Sequence, residues 1–120
     1  MQPATPPAPA IDPAALSRLF SLGDAALRVA LCAQLRDDFT RLHAAVGSDS
    51  LSATTRAAHE TKGLAATVGA YRLADIAAIV DTRAPLMGQA ARSLIIVQLR
   101  NEILQVLHEL ELAAQAGANA

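Results

Sequence analysis

The chain has 120 residues, 52% of them apolar and 2% aromatic, with a formal net charge of −1. That length supports one domain around a modest core, and the balanced charge excludes a basic stripe for nucleic acid and a polybasic grip on a membrane. Cys32 is the only cysteine, which excludes an intramolecular disulfide and a cysteine-held zinc.

Residues 1–10 (MQPATPPAPA) hold four of the six prolines and read as a flexible or polyproline-like leader. They lack the basic region and apolar stretch of a signal peptide. No apolar run approaches the ~18–20 residues of a membrane span, so the expected location is the cytoplasm. Asp12 can cap a short helix with Pro13 at its first position, running to about residue 22. Asp24 opens a second helix, in which Leu27, Leu31, Leu35, Phe39, Leu42 and Val46 recur at helical spacing until Gly47 ends it. Ser50 or Ser52 starts a third, over 51–68, and Gly69 makes the turn after it. A fourth covers 71–81, with Leu73, Ile76, Ala77 and Val80 inward. A loop with Pro85 and Gly88 leads to a fifth, over 89–114, striped by Leu94, Ile96, Leu99, Ile103, Leu107 and Leu110. Residues 116–120 read as a frayed tail, leaving 11–115 as the folded unit. No strand pattern appears. The expectation is an all-α antiparallel four-helix bundle with a short additional N-terminal helix, its Ala-rich seams allowing close packing.

Of ten basic residues, nine are Arg and one is Lys62. It stands three residues after His59, with Gly63 next. Residues three and four apart share a helix face, so His59, Lys62, Gly63 and Ala66 form one patch. Leu51, Ala58, Thr61, Ala65 and Val68 fall on another side, the core stripe. An exposed mid-helix Gly63 costs about 0.5–1 kcal/mol relative to Ala, which makes sense if something must approach the imidazole. A neutral imidazole has one N–H and one lone pair. If an acceptor holds Nδ1–H, Nε2 points outward as a nucleophile. A phosphoryl group there would add negative charge, and Lys62 would offset it. His43 and His108 lack such partners, and the three His are too scattered for a helix-borne metal site. Asp37, Asp38, Glu109 and Glu111 read as solvated faces, and Cys32 as a structural or core-edge residue. Arg56 and Arg72 are candidates for the rim of the His patch.

The stretch His59-Glu60-Thr61-Lys62-Gly63-Leu64-Ala65-Ala66-Thr67-Val68-Gly69-Ala70-Tyr71-Arg72-Leu73 resembles the signature of histidine-containing phosphotransfer (HPt) domains. That pattern has His, then Lys-Gly, a later Gly and a Leu. Ala77, Val80 and Asp81 match its continuation, and the preceding Ala58 also fits. The resemblance implies that His59 is the phosphoacceptor, that Lys62 assists with phosphoryl charge and that Gly63 gives a receiver domain clearance. It implies that Gly69 makes the turn and that Asp81 stands where the family has a Glu or Gln orienting Nδ1. Two positions depart. Thr61 replaces the usual Leu or Ile, and its hydroxyl is expected to bond back to the Ala57 carbonyl. Asp81 is one methylene shorter than Glu, so its contact with His59 is expected to be loose or water-mediated.

The implied function is that of a phosphorelay intermediate, carrying a phosphoryl group on His59 between the receiver aspartates of response regulators. No cofactor is expected in this chain; the receivers supply Asp and Mg²⁺. It has no Gly-rich phosphate loop for ATP and so no kinase activity of its own. A hybrid histidine kinase is a further expected partner, and nucleic acid and membrane are not. Two alternatives stand beside this one: a non-catalytic receiver-docking module, and a phosphoacceptor domain cut from a histidine kinase. A histidine-kinase dimerisation hairpin fits less well, because Leu64 stands where its His box carries Pro. A monomer is expected, since the acceptor face must stay free and no heptad seam is read on the outside.

Overall fold

The computed structural model describes residues 8–118. Five helices follow one another: α1 (Pro13–Phe20), α2 (Ala25–Val46), α3 (Leu51–Val68), α4 (Tyr71–Arg83) and α5 (Gln89–Ala118), with one 3₁₀ turn, Ala84–Leu86, before α5. No strand occurs among the described residues.

The start signals act where the sequence places them. Asp12 accepts from the N–H of Ala14, with Pro13 opening α1. Asp24 accepts from Leu27 N–H, and Ser50, rather than Ser52, accepts from Ala53 N–H. Each satisfies a backbone donor that a helix N-terminus leaves unpaired. Gly69, at φ 85, ends α3 in the left-handed region, and Ala70 N–H closes back to the Ala65 carbonyl at 2.8 Å. This closure leaves only two residues, Gly69 and Ala70, between α3 and α4. Two ends differ from expectation. Helix α1 stops at Phe20, its Ser21 N–H and hydroxyl turning back onto α1 carbonyls. Helix α5 continues past residue 114 through an Ala-rich segment that favours it.

Helices α2 and α3 pack together, as do α3 with α4, α4 with α5, and α5 with α2. The four close into a bundle in which α3 and α5 lie on opposite corners. Phe39, Leu42, Val46, Val68, Leu73, Val80, Leu99, Ile103, Val106 and Leu110 are buried at its centre. Cys32 is also fully buried, and burial pushes its thiol up, only partly opposed by Arg36. Two expected core positions face solvent: Leu27 is 51% and Leu94 is 69% exposed. Leu27 sits at the start of α2, whereas Leu94, nine residues before Ile103, stands half a turn round α5 from the buried face.

Of the expected leader, residues 1–7 lie outside the described residues, as do 119–120 of the tail. The segment that follows the leader is part of the fold. Ala10 and Ile11 are buried, and their N–H groups donate to the two carboxylate oxygens of Glu109, at 2.6 and 3.0 Å. Asp12 N–H donates to the Gly69 carbonyl at 2.9 Å. Glu109, expected on a solvated face, is therefore a clamp that ties the N-terminal segment across the end of the bundle.

Candidate functional site

The exposed face of α3 carries Arg56, His59, Glu60, Gly63, Ala66 and Thr67. Its opposite face buries Thr54, Ala57, Ala58, Thr61, Ala65 and Val68. The hydroxyl of Thr61 donates to the Ala57 carbonyl at 2.7 Å, as expected, so the buried polar atom is satisfied within its own helix.

The His59 side chain is 69% exposed, and its Nδ1 lies 2.9 Å from Oδ2 of Asp81. A carboxylate oxygen only accepts, so Nδ1 is the protonated nitrogen of the neutral ring and Nε2 keeps its lone pair. This contact is direct, against the expectation of a loose or water-mediated one. The physical reason is the closeness of α3 and α4. Ala58 and Ala65 on α3, with Ala74 and Ala77 on α4, occupy the sides that the His59–Asp81 bond brings together, and none is more than partly exposed. Small side chains let two helices approach, which offsets the missing methylene. The same Oδ2 lies 3.8 Å from Nζ of Lys62. One carboxylate therefore holds both the imidazole and the lone ammonium.

Around Gly63 the space is open: a Cβ built there would meet nothing within 4 Å. Ala66, one turn further, is exposed too. On the other flank, Arg41 of α2 makes a two-pronged ion pair with Glu60, at 2.7 and 3.2 Å. Its guanidinium holds the Glu60 carboxyl below the usual carboxylate range. The pair directs the acidic neighbour of His59 toward α2. No group of three or more potential metal ligands occurs among the described residues, and no described helix is long and apolar enough to cross a membrane.

The family model for the Hpt domain matches residues 26–116. The chain belongs to the Hpt domain family. Hpt domains serve histidine phosphotransfer in two-component signalling and interact with response-regulator receiver domains. No curated protein and no solved structure matches the chain significantly.

In this Hpt domain the matched span contains His59, Lys62, Gly63, Ala66, Gly69 and Asp81. The structure brings His59, Lys62 and Asp81 together beside open Gly63, while Gly69 sits at the turn. Arg56 is exposed one turn before His59, on the Gly63 side. Arg72 is not at the patch. It lies nine residues before Asp81, about 13 Å along α4 and on its opposite face, where Nε donates to Glu102 at 2.8 Å. The sequence reading missed Arg41 and Glu109. An Arg with no fixed partner in sequence carries no signal of where α2 meets α3. A Glu in a helix-end run reads as solvent-facing until the strand of chain it binds is known to return.

Proposed function

We propose that this Hpt domain is a phosphorelay intermediate whose Nε2 of His59 takes a phosphoryl group from a receiver aspartate and passes it to another. The observation that carries this reading is the His59–Asp81 bond at 2.9 Å on an otherwise exposed ring. It fixes the tautomer that leaves Nε2 nucleophilic. In the step, the Nε2 lone pair forms the N–P bond as the P–O bond to the receiver's aspartate breaks, and the electron pair leaves on that carboxylate. The ring gains positive charge, with Nδ1–H still bonded to Asp81, whose carboxylate offsets it. Lys62 lies beside the incoming phosphoryl oxygens and offsets their charge. Gly63 and Ala66 leave the receiver room to bring its phosphoaspartate and its Mg²⁺ within reach. Arg56 borders that docking face. Return of the phosphoryl group to a second receiver is the same step reversed, so this chain needs neither ATP nor a metal of its own. We place the relay in the cytoplasm, with a hybrid kinase's receiver as one source of phosphate.

The test is phosphotransfer from a phosphorylated receiver to wild type, His59→Gln and Asp81→Ala. Label that is acid-labile and alkali-stable on wild type, absent on His59→Gln and formed roughly 10-fold more slowly on Asp81→Ala is the expected result. A folded wild type that takes no label from several receivers sinks the carrier reading and leaves a docking module.

A further inference from the structure

The outward face of α5 carries an apolar strip that none of the described residues covers. Leu94 is 69%, Val97 54%, Leu104 47% and Leu112 50% exposed, and Asn101 and His108 lie between them, exposed on the same side. Between Leu94 and His108 this line carries no Asp, Glu, Lys or Arg, and the exposed Glu111 borders its C-terminal end. The inward face of α5, with Leu99, Ile103, Val106 and Leu110, lies half a turn away. From Leu94 to His108 the spacing alternates between three and four residues, the period of a coiled-coil seam, and Leu112 follows four further on. A seam of this kind was not expected from the sequence, and of its residues only Leu94 was assigned to the core-facing stripe of α5.

We propose that this strip is a self-association surface and that its occupant is a second copy of the chain, paired antiparallel about a two-fold axis through Asn101. The spacing supports this partner. It reads nearly the same in both directions from Asn101: Val97 four residues before, Leu104 three after, Leu94 and His108 seven on either side. A two-fold pair sets Val97 against the partner's Leu104 and Leu94 against the partner's His108. Asn101 meets its own copy, and an amide can both donate and accept. One Asn in an otherwise apolar seam is a device for fixing register. The absence of charge on the strip argues against a charged partner, which would be met by complementary charge. A net charge of −1 leaves little repulsion between copies.

The place of the strip fits the rest of the molecule. Helices α3 and α5 both pack on α2 and α4, so they stand on opposite corners. A dimer through α5 leaves both His59 faces outward and free. The strip measures about 27 Å by 10 Å on each copy, well under what a standard interface of about 1,200 Å² buries. The dimer is therefore weak and exchanging, with Kd between ~1 µM and ~1 mM.

Analytical ultracentrifugation of the full chain over a concentration series tests this. Wild type should move from 12.4 kDa toward twice that mass as concentration rises. Leu94→Glu and Leu104→Glu should stay at the monomer mass with unchanged helical circular dichroism, since both side chains are already exposed. Leu22→Glu, at another exposed apolar site (Leu22 is 77% exposed), should associate like wild type. A wild type that stays at 12.4 kDa throughout overturns the proposal. So does loss of the dimer in Leu22→Glu with the α5 variants unaffected, which would put the contact on α1–α2. None of these readouts depends on His59 accepting phosphate.

Discussion

Two glycines stand only six residues apart in sequence, Gly63 and Gly69, and their surroundings are opposite. At Gly63 a side chain would enter empty space. At Gly69 the backbone has φ 85, and a Cβ would overlap that of Ala15 from α1. The middle of α3 is thus open and the end of α3 is closed. Gly69 is required by the fold itself: a left-handed turn plus the close approach of α1. Gly63 is required by no contact among the described residues, which accords with the proposed role of leaving a partner room.

The comparison can be broken by substitution. Gly69→Ala should have the largest effect, a loss of about 2–4 kcal/mol from the left-handed backbone and the overlap with Ala15, read by denaturant unfolding. An unfolding midpoint equal to wild type would mean that the end is not closed as described. Glu109→Ala should remove about 2 kcal/mol, because two N–H groups lose a charged acceptor; the same titration measures it. Gly63→Ala should go the other way and stabilise by about 0.5–1 kcal/mol. Gly63→Leu, equally folded, should slow receiver phosphotransfer by at least ~10-fold. Equal transfer rates would show that the open space serves no partner.

The smallest expected effect is one of pH. Burial, with Arg100 adding to it, pushes the His43 imidazole below its usual 6.5. The fold therefore favours the neutral ring, and its contribution is complete above about pH 6.5. It is lost as pH falls from there through the lower folded value. Melting temperature should decline slightly on acidification, and His43→Gln should flatten that decline. Glu60, held low by Arg41, adds a loss of the same sign at more acid pH, below about 4.5 and down through its folded value. Both side chains of that ion pair are about half exposed, so solvent screening keeps its effect small.

Much of this was legible because the signals are local. Asp12, Asp24, Ser50 and Gly69 act within a few residues of themselves, so the helix starts and the α3–α4 turn follow from the sequence. The His59 patch follows from spacing on a single helix. What is not legible depends on how far one helix reaches along another. Leu27 keeps the helical period but lies at the start of α2 and faces solvent, and Leu94 falls on the side of α5 opposite the buried Ile103. The direct His59–Asp81 contact depends on the α3–α4 separation, set by alanines on both helices rather than by the length of Asp81. Arg72 sits on the right helix but at the wrong end of it, paired to Glu102, and no local pattern marks that difference.

The clamp at Glu109 also has a kinetic consequence. The His59–Asp81 bond joins residues 22 apart, whereas the bond from Ala10 to Glu109 spans 99. Loop-closure entropy rises with that span, so the helical hairpin bearing the reactive imidazole can assemble early, and the N-terminal segment closes over the finished bundle last. Glu109→Ala should then accelerate unfolding and leave the refolding rate nearly untouched, a φ-value near zero. A markedly slower refolding rate would place the clamp in the nucleus instead. The chain would thus complete its chemistry-bearing hairpin before it ties down its own beginning.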